Sequence, residues 1–277
     1  MTDSGTRSGV VDANGARIAF DEAGSGLPVI LVHAGIADRR MWDDVWANLA
    51  GHHRVVRYDC RGFGDTVVVE PQPFSNRADL IAVLDHLGIE RAVVVGVSRA
   101  GSIVTDTALE FPDRVLALVR VAAGLSGFEV QPTPEEQAAW NRLETLEAAG
   151  DLDALNEAEI AVWVDGLSGT PDRVPGVRSR VLQMNGDVYR LHADEKLGDP
   201  IPLDPPAAAR LGNLRIPVLE IVGDLDVPET LTTARHVASV VPGARLEVIE
   251  GVAHLPPMER PADFVRLLDG FLAALPS

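Results

Sequence analysis

The sequence predicts an α/β fold built on a mostly parallel central sheet flanked by helices. Three features predict it. Short apolar runs rich in β-branched residues alternate with amphipathic stretches along most of the chain. The turn signal Asn14-Gly15 places one antiparallel hairpin at the start. Residues 125–206 then break the alternation with helical spacing and no convincing strand.

The elements follow in order. Residues 17–23 alternate polar and apolar, as a half-exposed strand does, and pair back across the turn with Val10 and Val11. Residues 28–32 are wholly apolar, and a helical pattern covers 39–49. A short strand at 55–58 is followed by a helix over 76–87, stopped by Gly88. Residues 92–97 form a β-branched run, as a buried parallel strand requires. A helix from Ser98 to Glu110 ends before Pro112, and residues 115–121 give the sixth strand. After the interruption come a strand at 218–222, a helix over 228–241, a strand at 245–249 and a last helix over 260–274.

Within the interruption, residues 135–149, 152–164 and 177–191 have helical spacing, punctuated by prolines. A helical insertion after the sixth strand reads as a cap, because ligand crevices open at the carboxyl ends of parallel strands. The expected division is a core of residues 1–124 and 207–277 carrying a cap of residues 125–206. A subdomain that only packs is the alternative.

Composition narrows the function. The 277 residues are 46% apolar, enough for a substantial core, and carry a formal charge of −17. That charge repels phosphate backbones and anionic membranes, so neither nucleic acid nor membrane is an expected partner. It would also disfavour anionic substrates unless a local basic group offset it. Cys60 is the only cysteine, so intramolecular disulfides and multi-cysteine zinc sites are excluded. The polar, small-residue start has no signal-peptide pattern, and a cytoplasmic location is expected. Oligomeric state stays open between monomer and homodimer.

The stretch Val93-Val94-Val95-Gly96-Val97-Ser98-Arg99-Ala100-Gly101 carries the chemistry. A buried strand runs into Ser98 and a helix leaves it, the setting of a tight turn that lifts a nucleophilic hydroxyl above the sheet edge. Gly96 and Ala100 supply the small flanking residues. The helix N-terminus presents free N–H groups, so the N–H of Arg99 can face a developing oxyanion. An isolated serine here would be only a helix cap. A base must then come from a distant histidine at the same edge. Of seven histidines, His254 follows the last strand and fits, while His33 suits a structural role better. Asp224 or Asp226, after the preceding strand, can orient it.

These motifs, in this order, resemble the α/β-hydrolase family, in its esterase-like branch with a lid. Residues 31–35 look like its His-Gly segment, 58–64 like its D-x-R-G-x-G loop, 223–226 like its G-x-x-D acid motif, and 251–261 like its histidine loop. The resemblance implies the α/β-hydrolase fold and the triad Ser98, Asp226 and His254, in the family's chain order. It also implies a second oxyanion donor at the N–H of Gly35, with Ile36 as the alternative. Two departures stand out: Ala100 replaces the second glycine of G-x-S-x-G, and the His-Gly pair reads His33-Ala34 with glycine one place later. Asp59 and Arg61 are expected to pair and brace their loop. Trp42, Trp140, Trp163 and Met184 are candidates for the substrate pocket. No metal or cofactor is expected.

The implied activity is hydrolysis of a small carboxylic ester or lactone through an acyl-enzyme. Carbon–carbon bond hydrolysis or cofactor-free perhydrolysis on the same triad is one alternative. A slow-turnover, receptor-like ligand binder is another.

Overall fold

A computed structural model describes residues 5–192 and 195–275. Nine strands form one sheet: β1 (Arg7–Ala13), β2 (Ala16–Ala23), β3 (Pro28–Val32), β4 (Arg54–Tyr58), β5 (Val67–Val68), β6 (Ala92–Val97), β7 (Val115–Val121), β8 (Val218–Gly223) and β9 (Arg245–Ile249). Their spatial order is β1-β2-β4-β3-β6-β7-β8-β9, with β5 paired to β2. The run from β4 to β9 is parallel, and β1, β2 and β5 add the antiparallel part. β5 has two residues, too short to register as alternation in the sequence. It makes the strand before the long helical insertion the seventh rather than the sixth.

The helices are α1 (Asp43–Ala50), α2 (Asn76–His86), α3 (Arg99–Glu110), α4 (Pro134–Ala149), α5 (Leu152–Ile160), α6 (Pro175–Leu191), α7 (Pro228–Val240), α8 (Pro256–Glu259) and α9 (Pro261–Leu272). The pattern read as one helix over 39–49 divides into a 3-10 turn, Arg39–Trp42, and α1. α5 runs on into a π-helical turn, Ala161–Asp165. Among the described residues no helix is long and apolar enough to cross a membrane.

Alternation along the parallel strands builds two cores. Val29, Leu31, Val93, Val95 and Val119 face α1 and α9 through Val45, Leu49, Phe264 and Leu268. Ile30, Val32, Val94 and Leu118 face α2, α3 and α7 through Leu80, Leu84, Val104 and Val237. The chain leaves β3 to one side for β4 and returns on the other as β6. The crevice between the carboxyl ends of β3 and β6 is therefore the switch point where ligands bind in such sheets.

Two constraints fix α3 against the sheet. A Cβ on Gly101 would lie 2.1 Å from the Cβ of Ala123, so only glycine allows this approach. Beneath it, Arg120 of β7 and Glu220 of β8 form an ion pair at 2.5 Å with no exposed side-chain surface. Arg120 also donates to the carbonyls of Gly101 (3.2 Å) and Gly124 (3.1 Å) and to Thr105 Oγ1. Burial pushes the Glu220 carboxyl up to about 7, against the opposing pull of Arg120.

Three outcomes follow for stability. Removing one member of a buried pair strands the other, so Glu220→Leu alone should cost about 3–5 kcal/mol in urea unfolding, whereas Arg120→Met with Glu220→Leu should recover much of it. A double variant as unstable as the single would count against this account. Gly101→Ala should cost about 1–3 kcal/mol by overpacking. Gly176, in the first turn of α6 with open space around it, should instead gain a few tenths of a kcal/mol or more as alanine.

Candidate active site

β6 ends at Val97 and α3 begins at Arg99, leaving Ser98 alone in the turn at φ 57° and ψ −122°. An L-residue with a side chain adopts such a conformation only when its surroundings force it. Three hydrogen bonds do so. Ser98 N–H donates to Val121 O at 2.9 Å, while Gly101 and Gly124 N–H donate to Ser98 O at 2.9 and 3.2 Å. A Cβ on Gly96 would meet Ala100 O at 2.4 Å, so the strand side of the turn needs glycine. On the helix side the close approach falls at Gly101. Ala100 is fully buried, and its methyl packs into the core on the α3 side of the sheet.

His254 follows β9 and Asp226 follows β8. His254 Nε2 lies 2.7 Å from Ser98 Oγ, and its Nδ1 lies 2.9 Å from both carboxylate oxygens of Asp226. The side chains of His254 and Asp226 are 4% and 1% exposed, so the contact is shielded from water. The two candidate acids divide the work. Asp224 Oδ1 accepts instead from Gly251 N–H at 2.6 Å and from Val252 N–H at 3.4 Å, holding the histidine loop.

The loop after β3 faces the start of α3. Ala34 N–H is taken up by Met41 Sδ at 3.3 Å, and Ala37 N–H donates to Ala34 O. Between them, the N–H groups of Gly35 and Ile36 have no acceptor among the described residues. Arg99 N–H, in the first helical turn, has no intrahelical partner. Gly35 lies against the Arg99 side chain: a Cβ there would be 3.8 Å from Arg99 Cβ. The loop after β3 thus comes up against the start of α3, next to Ser98.

His33 is fully buried and is used structurally. Its Nε2 accepts from Cys60 N–H at 2.9 Å, and its Nδ1 lies 2.8 Å from Ala34 O. Those partners fix the tautomer with the proton on Nδ1. Asp59 and Arg61 do not pair with each other, contrary to expectation. Arg61 binds Asp79 at 2.7 and 2.9 Å. Asp59 is held by the Arg39 guanidinium and by the N–H groups of Arg39 and Asp65, both at 2.8 Å. Both brace the loop, through different partners. Burial raises the Asp59 carboxyl above its ordinary pKa despite Arg39.

The four apolar candidates separate. The Trp163 ring centre lies 4.5 Å from that of His254, and Trp140 stacks on Trp163 at 5.2 Å. Trp163 O also accepts from His254 N–H at 3.2 Å. Trp42 has no exposed surface and packs near Phe264, so it is a core residue rather than a pocket wall. Met184, 3% exposed, belongs to the same core cluster.

Two participants escaped the sequence reading. Glu259 accepts from the N–H groups of Ala253 and Leu255, both at 2.9 Å, on either side of His254. Arg173 bonds Glu259 at 2.5 Å and Gly251 O at 3.0 Å, and also reaches Val164 O in the π-helical turn. Arg173 stands in no motif, and Glu259 lies inside the 251–261 stretch without being singled out there. Only the acidic residue five places after His254 hinted at the loop clamp. Among the described residues no group of three or more His, Cys, Asp or Glu could hold a metal ion.

Comparison with known proteins agrees with this architecture. The model of the Alpha/beta hydrolase family matches residues 29–267. Rhodomycin D methylesterase DauP of Streptomyces sp. (strain C5) is 28% identical, over 83% of this chain and 86% of its own. A 2-hydroxy-6-oxononadienedioate/2-hydroxy-6-oxononatrienedioate hydrolase of Comamonas testosteroni is 29% identical, over 93% and 91%. The structure of Est816, described as an N-acyl homoserine lactone degrading enzyme, superposes with a TM-score of 0.71 at 26% identity, over 95% of this chain and 100% of that one. The fold, the position of Ser98 at its switch point and the extent of the match lead to one statement: the chain is a hydrolase-fold protein belonging to the alpha/beta hydrolase family.

Proposed function

We propose that this hydrolase cleaves a small carboxylic ester or lactone through an acyl-enzyme on Ser98. The observation that carries the reading is the continuous contact from Ser98 Oγ through His254 to Asp226, at 2.7 and 2.9 Å. Ser98 Oγ attacks the carbonyl carbon while His254 Nε2 takes its proton. Asp226 holds the Nδ1–H and balances the imidazolium. The N–H groups of Arg99 and Gly35 face the oxyanion, and Ile36 N–H is the alternative second donor. The imidazolium then protonates the leaving oxygen as the carbon–oxygen bond breaks. Water repeats the attack, giving its proton to His254, and the acid leaves as Ser98 is restored.

In this reading residues 125–206 are a cap. Its support is the contact of Trp163 with His254, made from the helical insertion. The similarity to the Comamonas testosteroni hydrolase favours one second reading, carbon–carbon bond cleavage of a dienoate on the same three residues.

The test is incubation with p-nitrophenyl acetate and butyrate, with intact-mass analysis of the quenched protein. An acyl adduct on Ser98 is expected, and Ser98→Ala should lose turnover by a factor on the order of 10⁴ or more. Asp226→Asn should lose a comparable factor while still binding substrate, since it no longer fixes the tautomer. Equal nitrophenol release by Ser98→Ala would refute the nucleophile. Turnover of a dienoate but of no ester or lactone would transfer the assignment to the carbon–carbon reading.

A further inference from the structure

Arg99 contributes its backbone to the turn at Ser98, but its side chain has no task in the chemistry above. Its position is unusual. The stem runs past Gly35, whose Cβ, if present, would lie 3.8 Å from Arg99 Cδ and 4.0 Å from Arg99 Nε. The guanidinium carbon lies 4.9 Å from the centre of the Phe63 ring. Its charge bears on Cys60, whose thiol burial pushes up but His33 and Arg99 together bring below its ordinary pKa. The head group is thus lodged between the loop after β3 and the loop after β4, beside the crevice.

Nε and Nη2 of Arg99 are both buried, and neither has a hydrogen-bond partner. The nearby arginines each have a carboxylate partner, although Nη1 of Arg61 is also buried without one. Arg39 is shared by Asp21, Asp59 and Asp65, and Arg61 is held by Asp79. A buried donor without an acceptor is costly. Nε and Nη2 are also the two nitrogens on one edge of the guanidinium. Their N–H bonds point the same way and match the two oxygens of a carboxylate. A single orphaned nitrogen could be a packing accident. An orphaned edge has the shape of a ligand.

We infer that Arg99 is a specificity-determining residue whose Nε–Nη2 edge binds a carboxylate carried by the substrate. The inference rests on the hydrolase reading above and names its substrate class: small esters or lactones bearing a free carboxylate. The distance is set by the residue itself. The N–H that faces the oxyanion and the guanidinium that binds the carboxylate belong to one arginine. The carboxylate therefore lies within one arginine side chain of the scissile carbonyl, as in esters of short diacids or of short hydroxy acids. Phe63, only partly buried, covers the guanidinium and is the side chain that must yield for entry. The fixed positive group also supplies the local offset that a chain of net charge −17 needs to admit an anion.

Three esters of similar size test this: methyl butyrate, monomethyl glutarate with the carboxylate on the acyl side, and O-acetyl glycolate with it on the alcohol side. For wild type, kcat/KM should favour at least one carboxylate ester over methyl butyrate by about ten- to a hundred-fold. In Arg99→Met the ratio should fall to about one or below, mostly through KM, with Arg99→Lys between. Binding gives a readout that needs no turnover. Glutarate or glycolate should raise the melting temperature of Ser98→Ala protein, and the double variant Ser98→Ala/Arg99→Met should lose that shift. Ester turnover with no preference for either carboxylate ester would overturn the inference and leave the hydrolase reading intact. No turnover of any ester, with Arg99-dependent carboxylate binding kept, would do the reverse. A wild-type preference that survives Arg99→Met would place the anion elsewhere.

Discussion

The strained turn at Ser98 is the constraint on which the rest of the site depends. Holding a serine at φ 57° costs about 1–3 kcal/mol, and something must supply it. The supply comes from packing on both sides of the sheet edge. Gly96 and Gly101 let α3 approach β6 and β7 more closely than any side chain would permit. Three backbone hydrogen bonds through Ser98 N–H and O then leave the turn no alternative. Arg120 finishes the support from beneath by gathering carbonyls from both Gly101 and Gly124, one on each side of the turn. An apolar pair in place of Arg120 and Glu220 would pack as well but would leave those carbonyls without that donor. A buried ion pair is poor evidence for stability in general. Here its value is positional, because the same guanidinium bonds α3 and the segment after β7.

How far the sequence discloses this depends on whether the cause is local. β6, β7 and β9 were legible to the residue because β-branched runs bounded by turns have few other uses. That Ser98, Asp226 and His254 meet was legible because three separate strand ends deliver them to one edge. The choice of Asp226 over Asp224 came from a motif. Its physical content, that Asp224 is occupied by the N–H groups of Gly251 and Val252, requires the fold. The pairing of Asp59 with Arg61 failed for the same reason. Their closeness in sequence says nothing about Arg39 and Asp79, each brought in from elsewhere in the chain. Trp42 misled because a large aromatic near a loop looks like a pocket wall, whereas the 3-10 turn that carries it rotates the ring into the core.

The histidine loop extends the same logic to the helical insertion. A six-residue connection between β9 and α8, followed by two prolines, could place His254 only loosely. Asp224 fixes the loop's beginning, Glu259 fixes the backbone on both sides of the imidazole, and Trp163 receives the His254 N–H. Arg173 then joins Glu259 and Gly251 to the π-helical turn. That turn matters geometrically. A π-helical turn inserts a residue and re-aims the side chains around it, here bringing the Trp163 ring to the imidazole while Val162 and Val164 stay buried.

The arrangement has a consequence for how such a site can vary. The imidazole is held partly by the core, through Asp226, and partly by the insertion, through Trp163. A change in the π-helical turn that carries Trp163 therefore bears on the orientation of His254. The loop after β3 is different. It is anchored by Met41 and His33 and meets the α3 start across Gly35. On the proposed function, a change at the Arg99 edge leaves the contacts of the histidine in place, whereas a change at Trp163 removes one of them. The two sides of the crevice are physically unequal: one is coupled to His254 through Trp163, and the other meets the start of α3 across Gly35 and Arg99.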